Sequence, residues 1–284
     1  WKHGQRRYFE GNWKAPDANL RGWVLLFFWG FLTHVLLDCF TTYGTQVFAP
    51  FSNQRVAWGT VSVVDPLYTV PFLVCLILAT RFARDHSRRR FWNGLGLAWS
   101  CVYLSLTAVN HHNVHRTVEE ALLEQGIMNQ RFFIAPTIFN NLLWNVVVDD
   151  GDEFFLAQHS IFDEVPIVFH PLSKGYDQLH DVETDETLGV LRWFSAGYFN
   201  AVRREDGSLQ LNDLRFGTFS GRAEDPDDYI FRFNLMDRGP SLPYGFERAQ
   251  GGPPDEKAQD MMMDLFDRAM GLSPKDLSLQ RPQL

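Results

Sequence analysis

The sequence predicts an α+β protein: a membrane-embedded helical N-terminal part followed by a small antiparallel β-rich domain outside the membrane. Three observations carry this. Three long apolar runs fall within the first 110 residues, the hydrophobic period changes to two after residue 126, and the charge changes sign between the halves. Residues 1–116 carry 12 Lys and Arg against 5 Asp and Glu, whereas the remainder carries 14 against 29. The arginines flank apolar runs rather than forming a polar arm, so the asymmetry points to two compartments or two domains ahead of a basic nucleic-acid tail.

Taken in order, residues 1–19 are a polar, basic segment beginning WKHGQRRYFEGNWK, and the start at Trp1 reads as a fragment whose natural beginning lies upstream. Residues 20–116 form the helical domain, with spans at about 20–40, 65–81 and 91–110. A helix needs roughly 20 mainly apolar residues to cross a bilayer, with about 17 the lower limit. The third run meets this outright. The second reaches it only with Asp65 and Arg81 at its ends, where charged groups reach the headgroups. Trp23, Trp29, Tyr68 and Trp92 lie near the ends or upper turns of the runs, as an aromatic belt requires. The loop RFARDHSRRR between the second and third runs carries five arginines and is predicted to be cytoplasmic. Residues 41–64 and everything after about 111 then face outward, into the periplasm or the cell exterior. The three cysteines, Cys39, Cys75 and Cys101, fit neither a disulfide framework nor a zinc-finger spacing and read as small buried hydrophobes.

Residues 117–250 are the outward β-rich domain. Asp150-Gly151 and Asp206-Gly207 each separate two β-rich runs, and glycine supplies the positive φ that a tight hairpin demands. YIFRFNLMD alternates as a half-buried strand does. Short helices are expected around 117–125 and 187–196. Residues 251–284 hold a loop, an amphipathic helix near 255–270 and a polar tail.

The chemistry concentrates in THVLLDCFTTYGTQ, residues 33–46, at the outer end of the first run. His34 and Asp38 are four apart, so a helix projects them from one face about 6 Å apart along its axis, the spacing at which two side chains share one ion. Imidazole and carboxylate are ligands of zinc and manganese sites. A bond from His34 to the Gly30 carbonyl or to Asp38 is the purely structural alternative. Gly44 is expected to end the helix. Asp65-Pro66 has the form of a helix start, aspartate as N-cap and proline at the first position. His111 and His115 repeat the four-residue spacing and read as interfacial residues. Gly94 and Gly96 read as helix-packing positions, and no Walker, Rossmann, zincin or C-x-x-C motif occurs.

The string THVLLDCFTTYGTQVFAPFSNQRVAWGTVSVVDPLYTVPFLVCLI resembles the core of the YdjM-like family of inner-membrane metal-dependent hydrolases, and the likeness continues through PTIFNNLLWN and LNDLRFG, covering roughly residues 20–220. The resemblance implies a bacterial inner-membrane, multi-pass protein and a divalent metal, zinc or manganese, held by His34 and Asp38. It also implies an upstream acidic pair and an upstream H-R-G-x-T-H-S segment, both absent from this sequence. Asp65 or Thr42 is expected to orient the attacking water or the substrate. A site at membrane depth favours membrane lipid or another small lipid-like ester or phosphoester as substrate. The competing expectation is a non-enzymatic membrane protein whose outward β domain binds a partner or envelope component.

Overall fold

The computed structural model describes residues 19–127, 131–182, 185–219, 221, 223, 225–236, 245–248 and 255–272. Helix α1, Leu20–Cys39, starts at Asn19, whose side chain accepts a bond from the Gly22 amide at 2.9 Å. Its 20 residues span about 30 Å, the thickness of a bilayer core. None of its apolar window is buried in the protein. Helix α2, Pro66–Thr80, begins at Asp65, whose Oδ1 accepts from the Leu67 and Tyr68 amides at 2.9 and 3.3 Å. The cap with proline behind it forms as the sequence predicts.

Three spans were expected, but among the described residues one helix, α1, is both long and apolar enough to cross a membrane. Helix α2 has 15 residues, about 22 Å, because Asp65 is drawn into the cap and the helix stops at Thr80. Helix α3, Ser87–Glu124, has length to spare at 38 residues, about 57 Å. Its apolar run is diluted by Asn93, Ser100, Ser105 and Asn110. The separate helix expected at 117–125 does not exist, since α3 runs through it without a break.

Helices α2 and α3 pack on each other. Gly96 makes this close approach: a Cβ there would lie 3.1 Å from Cys75 Cβ, whereas one at Gly94 would meet nothing within 4 Å. Of the three cysteines, Cys39 and Cys75 are buried and Cys101 is exposed on α3. Helix α1 ends at Cys39 with Phe40 as cap, five residues before Gly44. Gly44 instead turns the following loop at φ +82°, and Thr45 pairs with Val56. That loop folds back on the helix end. The amides of Trp58 and Thr60 donate to the carbonyls of Cys39 and Phe40 at 2.7 and 2.8 Å, satisfying groups a helix end leaves open.

The single sheet expected beyond α3 is two. Strands β1 (Arg131–Pro136), β2 (Leu143–Asp149), β3 (Glu153–Ser160) and β4 (His170–Ser173) form one antiparallel meander. Strands β5 (Phe199–Arg203), β6 (Leu209–Asp213), β7 (Arg232–Met236) and β8 (Gly245–Arg248) form the second. Both Asp-Gly turns occur where predicted, with Gly151 at φ +85° and Gly207 at φ +83°. The C-terminal half of α3 covers one face of the first sheet, packing Val114, Val118, Ala121 and Leu122 against Ile134, Trp144, Val146 and Val148. Val147, Phe154 and Leu156 from its other face meet Tyr198, Leu214 and Tyr229 of the second unit. A strand covered on both faces reads as a continuous apolar run, which is why LWNVVV in β2 hardly alternates. The second sheet buries Phe199, Leu211, Phe233 and Leu235 against Leu188 and Leu191 of helix α4 (Glu186–Phe194). Helix α5, Asp255–Ala269, closes the molecule by placing Leu265 and Ala269 on Leu143.

Candidate functional site

The last turns of α1 bring His34 and Asp38 together. His34 Nε2 lies 3.5 Å from Asp38 Oδ2, with the side chains 75% and 47% exposed. Two ligands at about 2.1 Å from a tetrahedral ion stand about 3.4 Å apart, so the pair has the geometry of one edge of a coordination sphere. It also has the geometry of an ordinary ion pair. Among the described residues no group of three or more His, Cys, Asp or Glu side chains converges on a point that could hold an ion. The pair therefore offers a metal at most a partial ligand set among the described residues. The Thr41 hydroxyl donates to the Asp38 carbonyl at 2.7 Å, which fixes the rim but leaves the carboxylate open.

Asp65 lies apart from this pair in its bonding. It is 2% exposed, and besides its two amide donors it accepts from the Tyr103 hydroxyl at 2.6 Å through Oδ2. Tyr68 and Trp99 flank Tyr103, and the Trp99 indole donates to the Leu67 carbonyl at 3.2 Å. Both oxygens of Asp65 thus join the start of α2 to the middle of α3. Thr42 is 4% exposed and sits under the second sheet. Its carbonyl accepts from Arg215 Nη1 at 3.3 Å. No hydrogen bond or ion pair among the described residues links Asp65 or Thr42 to His34 or Asp38.

Arg215 escaped sequence reasoning and is the centre of this contact. It is 2% exposed and holds Asp213 through Nε at 2.9 Å and Nη2 at 2.6 Å, while Nη2 also donates to the Phe194 carbonyl at 2.6 Å. Arg55 reaches the Phe194 carbonyl from the loop and lies over the rings of Trp193 and Phe194. The Trp193 indole returns a bond to the Asn53 carbonyl at 3.2 Å. Loop 41–64 is thereby fastened to α4 and the second sheet. The available signal was a charged pair two residues apart inside apolar LNDLRFG, a pattern that only burial explains.

The histidines after the third apolar run pack against aromatic rings. His111 lies edge-on to Trp144 and His115 packs on Phe132, their own rings 6.2 Å apart. Burial, and then the neighbouring His115 and His112, push the His111 pKa down to about 4. In the first sheet Asp149 is held below its ordinary range: burial alone would raise it, but Lys174 at 2.6 Å and Arg131 at 2.9 Å outweigh that.

This arrangement of an apolar leading helix, an H-x-x-x-D pair at its end and a D-P-capped second helix can be compared with known proteins. Residues 5–114 match the model of the YdjM inner membrane protein family. The YdjM match takes in α1, the loop, α2 and α3 as far as Val114, and leaves both sheets outside it, a shorter reach than the 20–220 expected. The chain is also 24% identical over 220 residues to the uncharacterized protein YfhP of Bacillus subtilis (strain 168). That similarity covers 72% of this chain and 60% of YfhP, so the chain spans less than two thirds of that relative. No solved structure matches. The YdjM match supports an inner-membrane location and carries no substrate with it.

Proposed function

We propose that this chain is part of a membrane-embedded metal-dependent hydrolase in which His34 and Asp38 supply two ligands to a divalent ion, zinc or manganese by donor type. The observation that carries the reading is the 3.5 Å approach of an imidazole and a carboxylate on one face of an otherwise apolar helix. Ionisable groups in such a helix are costly unless paired or coordinated. A bound divalent ion of this kind lowers the pKa of coordinated water towards about 7, which provides a nucleophile at neutral pH. Asp65 positions the scaffold in this reading, because its acceptor sites are already used, and Thr42 anchors the rim through its carbonyl. A site at the lipid boundary favours an amphiphilic ester or phosphoester.

In the same reading α2 and α3 enter the bilayer as a hairpin beside α1, α2 reaching the lower limit of roughly 17 residues only with Asp65 and Arg81 at the headgroups, and the arginine loop 81–90 lies in the cytoplasm. The bonds from Thr42, Asn53 and Arg55 to the β-domain support this, since they require loop 41–64 and the sheets to share one side. Leu73, Val74, Ile77, Leu97, Val102 and Leu106 are exposed on the hairpin, as a lipid-facing surface would be.

A second reading, a non-enzymatic module whose β-domain binds an envelope component, draws on the cleft of about 450 Å³ lined by Arg204, Asp227, Arg232 and Asn234. Metal analysis separates the two. Protein purified in mild detergent should carry zinc or manganese, and His34→Ala should lose it. Equal metal content in both would remove the hydrolase reading.

A further inference from the structure

We propose that α5 is an interfacial helix whose outer apolar stripe, Met262, Met263, Phe266 and Met270, rests in the headgroup region of the bilayer on the side of the β-domain. The proposal rests on the hairpin reading above, and its test keeps the two apart.

Three faces of α5 are distinct at 100° per residue. Leu265 and Ala269 are buried against Leu143, Ile138 and Leu142. Next to them Arg268 binds Asp163 at 2.6 Å and the Gln158 carbonyl at 3.1 Å, and the Ser160 hydroxyl donates to the Ala269 carbonyl at 2.7 Å. Asp264 and Asp267 occupy a second arc. The remaining arc holds Met262, Met263, Phe266 and Met270, all exposed, with Phe266 at 65%. Phe162, also exposed, continues that arc, since the chain leaves the helix at Gly271 directly over its Cβ. The helix is thus held firmly by one face while, among the described residues, nothing covers its apolar face, the distribution of a helix lying in a membrane surface.

Its place in the fold supplies the occupant. The turn under α5, residues 137–142, is tied to the membrane level from two directions. Asn110, the last residue of α3's apolar run, donates to Asn141 Oδ1 at 2.9 Å. Asn141 donates to the Thr60 carbonyl at 2.7 Å, and the Ser62 hydroxyl accepts from the Phe139 amide at 3.2 Å. Val63 and Val64, both exposed, then lead straight into the Asp65 cap of α2. Exposed Val63, Val64 and Phe139 therefore lie on the segments that join the ends of α2 and α3 to the turn beneath α5. A second copy of the chain suits this stripe poorly, because Asp264 and Asp267 of both copies would face each other across it. The acidic flank also means that insertion is driven by apolar area, so it should not require anionic lipid.

The test uses the full chain in phosphatidylcholine nanodiscs. Cys39 and Cys75 are replaced by alanine and Cys101 by serine, and single cysteines are placed at Phe266→Cys, Met263→Cys and Asp264→Cys to carry an environment-sensitive fluorophore. A fourth protein keeps Cys101, exposed within the proposed span of α3, as the only labelled thiol. The labels at 266 and 263 should be quenched severalfold more by lipids spin-labelled near the headgroup than the label at 264, and should be shielded from aqueous iodide. Adding anionic lipid should leave this unchanged. Iodide quenching at 266 equal to that at 264 would overturn the proposal. Shielding of 266 from both quenchers would also overturn it, since protein rather than lipid would then cover the stripe. Cys101 should respond to spin labels deep in the acyl region. If it does not, the hairpin reading fails by itself.

Discussion

Replacing Asp65 tests whether this residue is a structural pin or a reacting group. Asp65→Ala removes the acceptor for the Leu67 and Tyr68 amides at the start of α2, a loss of about 1 kcal/mol. It also leaves the buried Tyr103 hydroxyl without its 2.6 Å acceptor, which costs about 1 to 3 kcal/mol. The sum is about 2 to 4 kcal/mol. Asp65→Asn keeps a capping oxygen, and its amide can donate back to the Tyr103 oxygen, so it should lose only the extra strength of a charged acceptor, about 1 kcal/mol. The assay is unfolding by a denaturing detergent titrated into mild micelles, followed by tryptophan fluorescence. Tyr103→Phe and the double variant Asp65→Ala with Tyr103→Phe complete a cycle. The coupling should be positive, and the double variant should be less damaged than the two single losses added together. If Asp65→Ala unfolds within about 0.5 kcal/mol of wild type, the usual range for an unremarkable surface substitution, the reasoning is refuted. Asparagine proving as harmful as alanine would refute it too.

Arg215→Met should break the buried pair with Asp213 at a cost of about 3 to 5 kcal/mol, because a carboxyl that burial already pushes up in pKa loses its partner and must stay charged or take up a proton in a buried site. The same change releases Thr42 and Phe194, so trypsin should cut at Arg55 faster than in wild type. Gly96→Val should push α2 from α3 and destabilise by about 1 to 3 kcal/mol, since its Cβ begins 3.1 Å from Cys75. Gly94→Ala should instead be neutral or gain up to about 1 kcal/mol, its Cβ meeting open space in a helix. His111 and His159 have pKa values lowered chiefly by burial, His111 from near 6.5 to about 4. Below 6.5 the unfolded chain binds more protons than the folded one, so stability should be full above that pH and fall between it and about 4. His111→Phe should flatten this acid limb in unfolding curves, and an unchanged limb would place its origin elsewhere.

Signals that depend on near neighbours were legible in the sequence. Asp150-Gly151 and Asp206-Gly207 announce hairpins because the backbone angles of a tight turn are a local requirement. Asp65-Pro66 announces a helix start for the same reason, and His34 with Asp38 follows from helical spacing alone. Less was legible for the candidate site as a whole. Thr42 and Asp65 belong by sequence to the same rim as His34 and Asp38, yet the Thr42 carbonyl is held by Arg215 and the Asp65 carboxylate by Tyr103, residues 173 and 38 positions away. Nothing local to either position signals such a partner. Cys101 misled in a related way, because an apolar neighbourhood in sequence does not say whether a side chain faces the protein interior or its surface.

The order of elements, the turn positions, the capped start of α2, the His34–Asp38 pairing and the resemblance to the YdjM family were set by the chain itself, since each depends on residues within a few positions of one another. The partition into two sheets, the unbroken course of α3 from the hairpin into the β-domain, and the Arg215 latch on loop 41–64 were decided only by tertiary structure. These depend on which apolar faces find each other and on which buried charges can be satisfied. A period-two run cannot declare its sheet, and an arginine cannot declare a carbonyl far along the chain, until packing brings them together.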